Sequence, residues 1–267
     1  VTRPGAMEGV KYFLVPNVKN FSWMTVVAAM GQMFYSLSIA MGILITFGSY
    51  MKKETSLEDS TRNVEVFDTA IAIMAGLMII PAVFSFSGGD PDTLQAGPAL
   101  MFITIPKVFE NMGFGTVVGI LFFLLVLFAA VTSSIALTES AVSTFEDELG
   151  WSRRRATVLV GVIMIALGSL SSLGYGPLVG IKIIGMQFLD FFDFLTNSVM
   201  MPIAAMLTSL FVSRIVGMKR MEEEIMHGES TFRRKKIFIV MIKYLCPVFA
   251  LIILISSVAN AFGWIAM

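Results

Sequence analysis

Cysteine, histidine and charge are what this sequence has least of. One cysteine, Cys246, stands alone in 267 residues, which excludes an internal disulfide and any metal site built from several thiolates. One histidine, His227, lies in a charged stretch, and most histidine-based catalysis is excluded with it. Charged residues make up 14% of the chain, where a soluble domain carries about 25%. Neither sign is in excess, with 19 basic residues against 19 acidic ones, so no global field points to a nucleic acid or another polyanion. Apolar residues take the vacant share. They form 56% of the chain, mean hydropathy is +0.82, and the excess sits in a few long uninterrupted runs. A water-soluble enzyme, a disordered tail and a nucleic-acid binder are excluded. What remains is an all-α polytopic membrane protein.

A helix needs roughly 20 apolar residues to cross the hydrocarbon core. Runs of that kind predict membrane helices over 23–51, 64–87, 113–148, 156–173, 181–213 and 237–264, or one fewer if the short fourth run only dips into the bilayer. The runs are continuous rather than alternating, which excludes barrel strands.

Basic residues set the sidedness, because cytoplasmic loops carry the excess of Lys and Arg. The linkers after the first, third and fifth runs hold Lys52, Lys53 and Arg62, then Arg153, Arg154 and Arg155, then Arg214, Lys219, Arg220, Arg233, Arg234, Lys235 and Lys236. Arg3, Lys11, Lys19 and Lys107 fall on the other side. The first run is therefore predicted to cross from outside to inside, with 1–22 an external loop, 214–236 a cytoplasmic loop and Met267 outside. The basic run Arg233–Lys236 reads as an anchor at the inner surface, within reach of anionic lipid. The polar start at Val1–Asn20, with no initiating methionine, predicts a piece of a longer protein.

The external loop 88–112 is long, and loops beyond about 12–15 residues usually have a role. It opens with Gly88-Gly89-Asp90-Pro91, passes Gly97-Pro98 and turns apolar at Ala99–Phe109. It is either a solvated connection or a short helix packed as a lid.

Polar residues at membrane depth point toward function. The first run reads Gly31-Gln32-Met33-Phe34-Tyr35-Ser36-Leu37-Ser38-Ile39-Ala40-Met41-Gly42 at its middle. Such small and hydroxyl residues either let helices pack closely or mark a break whose freed backbone groups hold an ion and a substrate. Asp68 lies inside the second run, where a carboxylate costs several kcal/mol unless it is paired or bound to a cation. A sodium ion, which prefers oxygen ligands, suits it better than a transition metal; a helix-to-helix hydrogen bond is the other reading. The third run carries Ala129-Ala130-Val131-Thr132-Ser133-Ser134, then Thr138, Glu139, Ser140 and Ser143. These hydroxyls either bond back to carbonyls of their own helix or share a cation with another helix. Asp190 and Asp193, set among Phe188, Phe191, Phe192 and Phe194, suit a gating ion pair with an arginine or a helix N-terminus that tolerates acid. Pro81, Pro202 and Pro247 lie inside runs and predict kinks. Gly113-Phe114-Gly115-Thr116-Val117-Val118-Gly119 has the wrong spacing for a dinucleotide loop, and its Gly115–Gly119 pair is a close-packing surface.

Together these residues resemble the neurotransmitter:sodium symporter family, in its bacterial amino-acid branch. The resemblance rests on Gly31–Gly42, on Pro81-Ala82-Val83-Phe84, Gly97-Pro98 and Ile105-Pro106, and on Thr132-Ser133-Ser134 with Phe145-Glu146-Asp147-Glu148. It implies the second inverted repeat of a five-plus-five helix transporter fold plus one extra helix, with a broken first helix and the first five helices missing. It also implies transport rather than catalysis: symport of Na⁺ with a hydrophobic or aromatic amino acid through the plasma membrane. Tyr35, Ser36, Ser38, Met41, Ser133 and Leu137 match substrate-lining positions. Ser36 and Asp68 match ligands of a first sodium. The Ala129 carbonyl with the Thr132 and Ser133 hydroxyls matches a second. Asp193 matches the outer gate acid, with Asp190 the fallback. Chloride-dependent relatives place a serine where Ala72 stands, so chloride is not expected as a cofactor. A truncated, non-transporting membrane subunit and an ion channel are the competing readings.

Overall fold

The computed structural model describes residues 4–87, 97–228 and 231–264, and these are helical almost throughout. Gly88, Gly89, Asp90 and Pro91, with Val1, Arg3 and Met267, lie outside the described residues. The helices are α1 (Ala6–Leu14), α2 (Trp23–Ser36), α3 (Ile43–Ser49), α4 (Leu57–Ser87), α5 (Ile105–Glu110), α6 (Gly115–Leu149), α7 (Arg153–Gly174), α8 (Phe188–Val216), α9 (Met218–Ile225) and α10 (Lys235–Ala261). Among the described residues, α4, α6, α7, α8 and α10 are long and apolar enough to cross a bilayer. At 22 residues, α7 spans about 33 Å at the helical rise, so the short fourth run is a full-length helix. Large apolar side chains such as Phe128 and Ile165 are 63% and 73% exposed on these helices, a surface that suits lipid or further helices rather than water.

The chain divides into two compact units, Val1–Phe21 with Val64–Ser133, and Ser22–Asn63 with Ser134–Met267. In the first, α1 lies against α4 where side chains are small. A Cβ on Gly9 would come within 2.7 Å of the Pro81 Cα, and the Tyr12 ring meets Phe84 at 5.1 Å. Ala6, Val83 and Phe84 are buried there. Leu100–Thr104 and α5 form the helical end of the long loop, and Phe109 packs edge-on against Phe122 of α6 at 5.5 Å.

In the second unit, α10 packs along α8 and against α2 around Val27, Phe34, Met201 and Ile253. The C-terminal half of α6 packs on α7 through Val142, Ala156 and Val160. A reciprocal cap starts α2: the Thr25 N–H donates to Ser22 Oγ and the Ser22 N–H to Thr25 Oγ1, both at 3.3 Å, satisfying orphan donors of the first turn.

The largest differences from the sequence expectation fall at four places. The first run is interrupted between Ser36 and Ile43. The second begins at Leu57 instead of 64, because Ser56 Oγ accepts the Asp59 N–H and opens the helix early. The fifth begins at Phe188 instead of 181. Residues 181–187 form a tight turn, with Ile183 and Met186 exchanging backbone hydrogen bonds at 2.9 Å and Ile184 at φ +52°. The expected cytoplasmic loop 214–236 contains α9.

Three of the four widened, π-helical turns among the described residues share one cause, the exception being Val212–Val216, which ends at Gly217. Leu100–Thr104, Phe194–Met200 and Met241–Leu245 are each followed by an α-helical stretch with proline in its first turn, at Pro106, Pro202 and Pro247. Proline has no N–H to donate, and its ring clashes with the carbonyl four residues back. One extra residue in the preceding turn moves that carbonyl aside.

Candidate functional site: a broken helix and its neighbours

The break between α2 and α3 is the most distorted stretch of backbone described. Leu37 and Ser38 close the end of α2 through bonds to the Met33 and Tyr35 carbonyls at 3.1 and 3.0 Å. Ser38 and Ala40 then adopt φ of +53° and +64°, and Gly42 +80°. Each non-glycine residue in that region costs of order 1 kcal/mol, and such strain persists where the surroundings over-determine it. α3 restarts when Thr46 donates its N–H to the Gly42 carbonyl at 2.9 Å. The sequence left close packing and a break both open at Gly31–Gly42, and the break is what forms.

The candidate residues divide between the two units. Tyr35, Ser36, Ser38, Met41, Leu137, Asp190 and Asp193 belong to the second, and Asp68, Ala129, Thr132 and Ser133 to the first. Ser36 and Asp68, the two expected ligands of one ion, thus sit on different units. Met41 packs beside the buried cluster of Val27, Phe34, Met201 and Ile253.

Tyr35 and Asp193 come together. With Gln32, Asn197, Ser198 and Ser257 they line a cavity of about 330 Å³ between α2, α8 and α10, whose apolar lining includes Val27 and Ile253. Asp193 accepts a hydrogen bond from Asn197 Nδ2 at 2.5 Å, one turn along α8. The sequence expectation of an arginine partner overlooked this amide. The four-residue spacing was the signal that could have found it. Asp190 stands in the first turn of α8, and its charge helps hold the nearby Tyr175 phenol above its ordinary pKa, after the larger effect of partial desolvation.

Thr132 Oγ1 donates to the Ala129 carbonyl at 2.9 Å, and Thr138 Oγ1 to the Ser134 carbonyl at 2.7 Å. Hydroxyl lone pairs remain free to meet a cation while the proton is so engaged. Among the described residues no group of three or more His, Cys, Asp and Glu side chains could hold a metal ion.

One ionic cluster was not foreseen. Tyr50, just past α3, donates its hydroxyl to Glu139 Oε1 at 2.7 Å. Arg153, at the start of α7, reaches Glu139 Oε2 at 2.5 Å and Glu146 Oε2 at 3.2 Å. The sequence placed Glu139 in a polar stripe; the signal missed was the arginine run beginning fourteen residues on.

Comparison with known proteins gives concordant matches. A profile of the sodium:neurotransmitter symporter family fits residues 1–263. An uncharacterized sodium-dependent transporter of Bacillus subtilis, YhdH, is 34% identical over 230 residues, 86% of this chain and 50% of its own length. An uncharacterized sodium-dependent transporter of Haemophilus influenzae is 33% identical over 258 residues, 96% of this chain and 55% of its own. Among solved structures, the crystal structure of MhsT in complex with L-phenylalanine superposes with a TM-score of 0.81 at 34% identity, covering 95% of this chain and 56% of that one. The chain spans about half the length of the curated relatives it matches.

Proposed function

The chain belongs to the sodium:neurotransmitter symporter family and is a multi-pass membrane protein. On that premise we propose that the whole protein imports a hydrophobic or aromatic amino acid with Na⁺ across the cell membrane by alternating access. The observation that carries this reading is the α2–α3 break, with Ser38 and Ala40 at positive φ, in a chain whose relatives are sodium-dependent transporters. MhsT, with L-phenylalanine bound, supports the apolar substrate class.

In this reading Tyr35, Ser36, Ser38, Met41, Ser133 and Leu137 line the substrate. Ser36 and Asp68 hold one sodium, and the Ala129 carbonyl with the Thr132 and Ser133 hydroxyls holds a second. Asp193 is the outer gate acid and Asp190 its fallback. The substrate carboxylate completes the shell of the first sodium, so each ligand stabilises the site of the other, and the coupling is reciprocal. A membrane potential contributes roughly 2.3 kcal/mol per charge per 100 mV to inward movement. With Ala72 at the position of a chloride-binding serine, transport needs no chloride.

Protein expressed from the complete reading frame and placed in liposomes is expected to take up radiolabelled L-phenylalanine when an inward Na⁺ gradient is applied, and not when K⁺ replaces it. Asp68→Ala is expected to abolish the sodium-driven component. Substrate-independent conductance, or uptake indifferent to Na⁺, would overturn the reading.

A further inference from the structure

We infer that Ser140 is a positioning residue for the binding site: its hydroxyl holds the exit of the helix break and fixes where Met41 stands. The inference rests on the proposed substrate-lining role of Met41 and adds a residue outside the expected site.

Ser140 sits on α6 and is 7% exposed; Thr46, on α3 across from it, is 8% exposed. Four hydroxyls of α6 turn back onto their own helix. Thr132, Thr138, Ser143 and Thr144 each donate to a carbonyl three or four residues earlier, the default for serine and threonine in apolar helices. Ser140 donates away from its helix instead, to the Met41 carbonyl at 3.5 Å. It accepts from Thr46 Oγ1, also at 3.5 Å. Each hydroxyl has one hydrogen: Ser140 spends its own on the Met41 carbonyl, and Thr46 shares its hydrogen between Ser140 Oγ and Ser143 Oγ. Ser143 Oγ lies 3.3 Å from Thr46 Oγ1 and spends its own proton on the Ser140 carbonyl at 3.1 Å.

These bonds are long, and singly each is weak. Shape supplies the rest. A Cβ built on Gly42 would stand 2.6 Å from Ser140 Oγ, so the hydroxyl occupies the space that any other residue at 42 would need. Gly42 at φ +80° and Ala40 at φ +64° bracket Met41. A backbone carbonyl between two left-handed residues has little of its own to hold it, and Ser140 contacts it from one side while abutting Gly42 on the other. Remove the hydroxyl, and the Met41 carbonyl loses its donor while the buried Thr46 hydroxyl keeps only Ser143 Oγ.

The test uses protein from the complete reading frame. Ser140→Ala is expected to raise the Kd for L-phenylalanine about fivefold, the scale of one lost buried hydrogen bond, with expression and maximal uptake rate within about twofold of the parent, as for a residue acting on binding rather than turnover. It should also change the ratio of the L-phenylalanine and L-alanine affinities, because the Met41 side chain moves with its carbonyl. Thr46→Val should reproduce both effects, Thr46→Ser should restore the parent values, and Ser140→Ala with Thr46→Val should be no worse than either alone. Unchanged affinity and unchanged selectivity in a folded Ser140→Ala protein would overturn the inference. If the parent binds no amino acid in Na⁺, the functional reading falls on its own, and hydrogen exchange decides this one. Amides of Ile43–Thr46 should then exchange faster in Ser140→Ala than in the parent, and equal rates would overturn it.

Discussion

Gly42 is where the stereochemistry of one residue decides the most. Its φ of +80° is open to glycine at no steric cost, while an L-side chain there costs about 1–2 kcal/mol before any contact is counted. A Cβ would in addition meet Ser140 Oγ at 2.6 Å. Gly42→Ala is therefore expected to lower the thermal midpoint of the detergent-solubilised protein and to abolish measurable L-phenylalanine binding. Adding Ser140→Gly removes the clash and leaves the φ penalty, so the midpoint should recover in part while binding should not. Full recovery of both would mean that the left-handed turn is dispensable. Gly42 closes the small-residue stretch from which a break could be read in the sequence. Asn197 was not read, although it lies one turn beyond Asp193, because the expectation looked for a positive partner and an amide donor can satisfy a carboxylate as well. The Ser140–Met41 contact joins residues 99 apart in sequence, and no local pattern encodes it.

Helices as elements were legible where hydropathy alone defines them and illegible where proline geometry intervenes. The long apolar runs marked the membrane helices, yet composition could not separate the turn at 181–187 from the helix after it, since Ile181, Ile183, Ile184 and Met186 are as apolar as a span. Gly185 at φ +78° and the left-handed Ile184 make the difference. The prolines were read as kinks, but at Pro202 the accommodation is the widened turn Phe194–Met200. A π turn holds one residue more than an α turn, which rotates the helix before it by about 100° relative to the helix beyond it. Asp193 and Asn197 face the cavity beside α2 with that rotation in place. Pro202→Ala supplies the missing N–H and lets the turn close, which should carry both residues away from the cavity. In a background where Cys246 and any further cysteine of the complete reading frame are replaced by alanine, Asn197→Cys should react with a small aqueous thiol reagent, and adding Pro202→Ala should slow that reaction several-fold. An unchanged rate would show that the widened turn does not depend on the proline.

At the scale of the whole molecule the question is charge. Asp68 lies within α4, a helix apolar enough to cross the bilayer, and in the proposed mechanism its carboxylate offsets sodium in a region of low dielectric. On that proposal, chloride-dependent relatives, to which the resemblance gives a serine at the position of Ala72, use a mobile anion for what Asp68 supplies here. The two positions are one helical turn apart, so the exchange is local. Asp68→Asn alone should leave bound sodium without its counter-charge, and removing one partner from a buried pair is costly, typically 3–5 kcal/mol; sodium affinity should fall more than tenfold. Asp68→Asn with Ala72→Ser provides a hydroxyl for an anion while leaving the site net positive. Uptake of L-phenylalanine by that double variant should return in chloride and vanish when gluconate replaces it, whereas the parent should ignore the exchange. A double variant that transports equally well in gluconate would place the counter-charge on another acid and remove Asp68 from the sodium shell.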